Sequence, residues 1–119
     1  MDTFQEKLKI KMNEYAHGVY NLSKKFPKDE IYGITSQIRR SSLSVVLNYI
    51  EGWARRKNLV HINFLEISYG SLQESKYLLS FCSEEKLIDE KEYKKILAVA
   101  EEVGAMLWSE IKRLDKKKV

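Results

Sequence analysis

Turn-forming residues and cysteine are scarce in this chain. It has one proline and five glycines in 119 residues, which favours a few long elements over many short ones. The single cysteine, Cys82, has no partner for an internal disulfide. This excludes a disulfide-stabilised scaffold and gives no indication of export.

Long apolar runs are also missing. No stretch approaches the roughly 20 apolar residues that a membrane-spanning helix needs. The first residues, MDTFQEKLK, lack the apolar core of a signal peptide. These absences predict a cytoplasmic protein with no membrane partner.

The composition is that of a folded domain. Charged residues make up 32% of the chain and hydrophobic residues 44%, which disfavours disorder. The length suits one domain with one core, so we expect residues 1–119 to form a single domain. A net charge of +4 and an isoelectric point of about 9.1 permit binding to nucleic acid without requiring it.

Apolar residues recur at three- and four-residue steps through most of the chain, which is the repeat of an amphipathic helix. Pro27 is expected to end the first helix. Four helices are predicted, at about 4–25, 30–57, 60–83 and 89–114. Since short loops join them, the pattern predicts an all-α, antiparallel up-down-up-down four-helix bundle.

Helix-capping residues mark three of these starts. Thr3 with Glu6, and Asp89 with Glu92, have the spacing of capping boxes and are expected to open the first and fourth helices. Asp29 is expected to cap the second helix.

The second and third helices have apolar residues on two faces, whereas the first and fourth have one apolar face each. A single copy would leave the surplus exposed, so we expect a homo-oligomer. The pattern does not show which face is the core. The candidate interface residues are Leu43, Leu47, Ile50, Trp53 and Phe64.

Polar residues lie between these apolar sets and require partners. The expected network comprises Arg39, Arg40, Asn48, Glu51 and Glu74. We hypothesise that Glu74 pairs with Arg39, Arg40 or Asn48, and the alternative is that it reaches solvent.

All five glycines lie inside predicted helices, and two of them, Gly52 and Gly70, bear on packing. Gly70, with Ser71, is expected to allow close approach of a neighbouring helix. Gly52 indicates close packing or fraying near the end of the second helix, rather than a ligand site.

No catalytic or cofactor site is evident. His17 and His61 lie on different helices, with no Cys or carboxylate at the spacing of a metal site. Cys82 has an apolar setting that suits a buried structural thiol. The glycines form no phosphate-binding loop. We therefore expect no enzyme, no metal, no cofactor and no small-molecule substrate.

The predicted topology gathers cations at one end of the bundle. The start of the first helix, the second loop and the end of the fourth helix meet there. This end collects eleven cations against five carboxylates. The cations are Lys7, Lys9, Lys11, Arg55, Arg56, Lys57, Lys112, Arg113 and Lys116, followed by Lys117 and Lys118.

Two interpretations of these cations are open. Cations favour the negative ends of helix dipoles, which accounts for the second and fourth helices but not for the lysines that begin the first. The other interpretation is a surface that binds the phosphates of RNA or DNA. Trp53 and Trp108 are the aromatic residues expected there, so we expect backbone contact rather than base readout.

Several motifs together resemble those of a known family. They are FP at 26–27, EIYGI at 30–34, SQIRRS at 36–41, NYIEG at 48–52 and FLEISYGSLQE at 64–74. With them the chain resembles the bacterial four-helix-bundle proteins encoded in intervening sequences of 23S ribosomal RNA genes.

The resemblance implies a four-helix bundle that assembles as a ring-like homopentamer. That family is similar in fold to the accessory protein of diversity-generating retroelements, a basic pentamer that binds nucleic acid and a reverse transcriptase. Where most members have alanine, this chain has Ser41, Ser42, Tyr49 and Ile50. The function we expect is nucleic-acid binding without catalysis, and the alternative is a structural or protein-interaction module.

Overall fold

The computed structural model describes residues 3–116, which form four α-helices and no strand. The helices are α1 (Phe4–Ser23), α2 (Ile34–Trp53), α3 (Asn58–Glu84) and α4 (Glu90–Lys116), with a short 3-10 turn at Lys28–Glu30. The prediction of an all-α four-helix bundle is confirmed. Lys117 and Lys118, two of the cations predicted to gather at one end of the bundle, lie outside the described residues.

Neighbouring helices run in opposite directions. Lys11 of α1 forms an ion pair with Glu102 of α4, whereas Lys25, just after the end of α1, pairs with Glu92, which lies earlier in α4. The contacts of α1 with α2, of α2 with α3 and of α3 with α4 also join early residues of one helix to late residues of the next, so each pair is antiparallel. The helices therefore pack in a ring in chain order, as an up-down-up-down bundle.

One apolar face of α2 forms its share of the core. Ile38, Val45 and Tyr49 are fully buried, whereas Leu43 and Leu47, on the other apolar face, are about half exposed, at 49% and 52%. The face with Ile38, Val45 and Tyr49 is therefore the core face of α2, a choice that the sequence pattern left open. The second apolar face of α2 lies on the outer surface of the bundle.

Buried serines allow α3 to pack closely. The Ser68 hydroxyl donates to the carbonyl of Val45 on α2 at 2.6 Å. The Ser75 hydroxyl lies 2.7 Å from the hydroxyl of Tyr15, which reaches across the bundle from α1. Because the hydroxyls of Ser68 and Ser75 both have partners, they carry no large desolvation penalty.

Two of the three predicted caps are present. The Thr3 hydroxyl accepts the backbone N–H of Glu6 at 3.1 Å, and the Asp89 carboxylate accepts that of Glu92 at 2.7 Å. The expectation for Asp29 is wrong. The chain after Pro27 forms the 3-10 turn, which contains Asp29, so α2 begins later with Gly33 as its N-cap.

The second helix is shorter than the sequence pattern predicts. It ends at Trp53, and Ala54 is its C-cap, so Arg55, Arg56 and Lys57 lie in the connection to α3 rather than inside a helix. Helix α3 begins at Asn58 with Lys57 as its N-cap.

Two of the four helical glycines, Gly52 and Gly70, differ in their surroundings. A Cβ atom at Gly52 would lie 3.1 Å from Cδ2 and the carbonyl oxygen of His61 and from Cδ2 of Leu65. A Cβ atom at Gly70 would have nothing within 4 Å. Close approach to a neighbouring helix within this chain therefore occurs at Gly52 and not at Gly70, contrary to the expectation for Gly70.

This difference predicts opposite effects of the same substitution. Gly70→Ala should raise the free energy of unfolding by about 0.8 kcal/mol, because alanine has the higher helix propensity. Gly52→Ala should lower it by roughly 1 kcal/mol or more, because the new methyl group forces α2 and α3 apart. Urea denaturation of the two variants measures both values. Equal stabilisation by the two substitutions would contradict the close contact at Gly52.

Candidate nucleic-acid interface

Three chain segments meet at one end of the bundle. The side-chain amide of Asn58, at the start of α3, donates to the carbonyl of Leu114 near the end of α4, at 3.5 Å. The beginning of α1 lies beside the end of α2, and together they line a groove that includes Lys9 and Trp53. We call this region the basic end.

Nine of the predicted cations fall within the described residues, and eight of them are exposed. The exposed cations are Lys7, Lys9, Arg55, Arg56, Lys57, Lys112, Arg113 and Lys116. They belong to α1, the α2–α3 connection and α4. The structure therefore brings together the segments that the topology predicts.

Two of the nine cations already have carboxylate partners. Lys11 is half-buried and lies 3.2 Å from Glu102 and 3.5 Å from Glu14. The hydrogen bond to Glu102 is the main reason that the pKa of Lys11 is raised. Arg55 bonds Glu51 at 2.5 Å. These partners compete with any phosphate for Lys11 and Arg55.

A buried carboxylate lies beneath this end. Glu110 of α4 is fully buried, and it accepts hydrogen bonds from the Tyr49 hydroxyl at 2.7 Å and from the Trp53 indole N–H at 2.8 Å. Burial raises the pKa of Glu110, while the two hydrogen bonds and the nearby charge of Arg113 oppose that rise. Glu110 is therefore not one of the surface carboxylates that offset the cations.

His61 of α3 completes this group. Its ring is buried and lies 4.2 Å from the Trp53 ring, centroid to centroid, at an angle of 64°. Nε2 of His61 has no hydrogen-bond partner within residues 3–116, and burial lowers the pKa of the imidazole. We call Tyr49, Trp53, His61 and Glu110 the aromatic–carboxylate cluster.

The sequence pattern does not predict this cluster, although it contains a signal for Glu110. Glu110 lies three residues after Leu107 and four before Leu114, so it occupies a position on the apolar face of α4. A carboxylate at such a position requires buried donors. The sequence does not indicate that Tyr49 and Trp53 supply them.

The five residues of the expected polar network lie in separate places. The Arg39 guanidinium donates to the Ser23 hydroxyl at 2.6 Å and lies 4.4 Å from the centre of the Tyr20 ring. The Asn48 amide bonds the backbone and side chain of Ser44 on its own helix.

Glu51, near the end of α2, pairs with Arg55 in the connection to α3. Arg40 and Glu74 are both exposed, and no ion pair joins them within the part of the chain that the structure describes. The described contacts therefore do not connect these five residues into one network.

The expected interface residues also divide into groups. Leu43, Leu47 and Ile50 are about half exposed along the outer face of α2. Phe64 is half-buried, with the Arg55 guanidinium 4.8 Å from its ring centre. Trp53 is 41% exposed, and its indole N–H points inward to Glu110.

Other kinds of site have little support in residues 3–116. No three His, Cys, Asp or Glu side chains come together in a way that would hold a metal ion. Burial, with a smaller contribution from the charge of Glu30, raises the pKa of the Cys82 thiol to about 11, which disfavours the reactive thiolate. No described helix combines the length and apolar character needed to span a membrane.

Comparisons with known proteins agree with this architecture. A family model described as 23S rRNA-intervening sequence protein matches residues 6–109. The chain is also similar to a crystal structure of a protein with unknown function from the S23 ribosomal protein family of Bacteroides thetaiotaomicron. The two share 26% identity and a TM-score of 0.86, over 92% of this chain and 99% of that one. No protein with a curated description matches.

The buried carboxylate predicts a pH-dependent stability. Because the pKa of Glu110 is raised in the folded protein, the folded state binds the Glu110 proton more tightly than the unfolded state does. This contribution to stability is present at low pH and is lost as the pH rises above about 4.5. Glu110→Gln removes the titration and keeps one acceptor oxygen, while its NH2 group replaces the second accepting oxygen, and this loss does not vary with pH. The variant should therefore gain stability relative to the native chain as the pH rises from 4 to 8.

Urea denaturation across that pH range measures the difference. Glu66→Gln, at an exposed position on α3, controls for the loss of one surface charge. A difference between the Glu110→Gln variant and the native chain that stays constant with pH would contradict a raised pKa.

Proposed function

The chain belongs to the family of 23S rRNA-intervening sequence proteins, and we propose that it is a non-enzymatic, self-associating bundle that binds RNA or DNA through its basic end. The observation that carries the proposal is the convergence of exposed cations from three separate chain segments. Neither the matching family nor the similar structure is described by an enzymatic activity.

The positions of individual cations support phosphate binding over helix stabilisation. Lys57 is the N-cap of α3, and Lys7 lies in the first turn of α1. These are the positive ends of helix dipoles, where a cation is unfavourable by a few tenths of a kcal/mol. Stabilisation of the helices therefore does not explain why lysine is there, whereas attraction of a polyanion does.

The second candidate function is a protein-interaction module. It is favoured by the exposed apolar row on α2, which would suit another protein as well as a second copy. In that case the lysines only provide solubility. The two functions differ in whether reversing charges at the basic end changes binding to nucleic acid.

Arg56→Glu with Lys57→Glu tests the proposal. Both side chains are exposed and outside helices, and glutamate at the N-cap of α3 suits the helix dipole, so folding should be unaffected. Binding to a fluorescent RNA hairpin and a DNA duplex, measured by anisotropy, should weaken about tenfold or more. If both cations contact phosphates, the slope of log K against log salt should fall by about 2.

Lys28→Glu with Lys91→Glu is the matched control. It makes the same change of charge at the opposite end of the bundle, in the 3-10 turn and the first turn of α4. We expect the control to retain most of the affinity. Equal loss in both double variants would indicate a general effect of net charge, and absence of binding at low salt would refute the proposal.

We propose that self-association uses the outer face of α2. Leu43, Leu47 and Ile50 follow each other at steps of four and three residues, which is the spacing of a seam between helices. The face of α4 turned to solvent is largely charged instead. The ring of five copies that the resemblance implies is the assembly we propose.

Light scattering tests the assembly. The molar mass measured for the native chain should be a multiple of 14.0 kDa. Leu47→Glu should lower the measured mass toward that of one copy, because burying the new charge in an interface is costly. Ala105→Glu, on the exposed face of α4, should leave the mass unchanged. A native protein that remains a single copy at high concentration would rule out the assembly.

A further inference from the structure

We infer that Trp53 is a stacking site for an unpaired base, and that the basic end therefore prefers single-stranded segments to a continuous duplex. This inference rests on the proposed nucleic-acid binding. It adds a specific contact to a surface whose cations by themselves would bind any polyanion.

The first observation is the restraint on the indole. Trp53 is the last residue of α2, and its N–H donates to the buried Glu110 at 2.8 Å. The rings of Tyr49 and His61 contact the indole at 65° and 64°, so neither ring lies stacked parallel to it. The side chain remains 41% exposed although its orientation is fixed.

A fixed and exposed aromatic ring is favourable for stacking. Ordering a free side chain on binding costs conformational entropy, and a side chain already held by a hydrogen bond avoids much of that cost. Base stacking on aromatic side chains is tolerant of sequence, because every base has a π face. Stacking by itself therefore adds little dependence on sequence to binding that we expect to be dominated by backbone contacts.

The second observation is the groove beside the indole. Its volume is about 450 Å³, within the roughly 300–1,000 Å³ of small-molecule sites. Polar side chains of α1 form one wall of this groove, and Tyr49, Ile50 and Trp53 of α2 form the other. The α1 residues are Thr3, Gln5, Glu6 and Lys9.

The charges of the groove distinguish a base from a phosphate. The carboxylate of Glu6 would repel a phosphate lying inside, but it would accept hydrogen bonds from the amino groups of a base. Lys9, on the same wall, has the charge needed for an adjoining phosphate. A base inside a duplex is stacked between its neighbours and cannot present its face, so an unpaired nucleotide is the occupant that fits.

Trp108 provides an internal comparison. It is 48% exposed and lies 5.2 Å from the Tyr69 ring, centroid to centroid. It does not line the groove beside Trp53. The chain has two tryptophans, so Trp108→Phe leaves Trp53 as the only indole fluorophore.

The test uses the full-length Trp108→Phe protein with a mixed-sequence 20-nucleotide single strand, as RNA and as DNA, and with the duplexes formed from them. The single strand should quench Trp53 fluorescence at saturation, and the duplex should bind with little quenching. Trp53→Leu in the native background should weaken single-strand binding about tenfold. Trp108→Leu should leave it within twofold.

The quenching measurement retains Trp53, so it does not depend on whether Trp53→Leu folds well. Equal quenching by single strand and duplex, or no quenching at saturation, would overturn the inference. If the Arg56→Glu, Lys57→Glu variant still weakens binding in that case, the proposed function stands without the stacking site. If no nucleic acid binds, both fail.

Discussion

The hydrogen bonds to Glu110 determine how the basic end is built. Its carboxylate receives a hydroxyl from Tyr49 and an indole N–H from Trp53, so α4 is tied to α2 across the diagonal of the bundle. Removing one donor would leave a buried carboxylate with an unsatisfied oxygen, which costs about 1–3 kcal/mol or more. This requirement holds Trp53, the last residue of α2, in place directly before the connection that contains Arg55, Arg56 and Lys57.

Local patterns in the sequence predict the fold well and the polar contacts poorly. The seam of α1 and the caps at Thr3 and Asp89 depend on residues three or four apart, so they can be read directly. Asp29 does not cap α2 because the residues after Pro27 form a 3-10 turn instead of the first turn of the helix. That competition depends on backbone geometry, which composition does not reveal.

Contacts between distant residues account for the remaining differences. The sequence leaves open whether Glu74 has a partner on α2 or reaches solvent; it is exposed, whereas Glu110 is buried and hydrogen-bonded. Both residues lie on or beside apolar rows, so the spacing of apolar residues predicts the same burial for both. The difference is rotational, since Glu74 lies on the outer row of α3 and Glu110 on the inner row of α4. Gly70 and Gly52 differ for the same reason.

The apolar row of α2 meets the basic end at Ile50, which also lines the groove beside Trp53, and this arrangement limits the assemblies that would bind nucleic acid well. The apolar row runs along the side of the bundle, whereas the cations lie at one tip. A ring of copies related by rotation about an axis parallel to the helices would place every basic end on the same side. Their charges would then act on one polyanion, and each added contact would increase the dependence of binding on salt. An antiparallel pair would instead separate the two basic ends by the length of the bundle, so its cations would act independently.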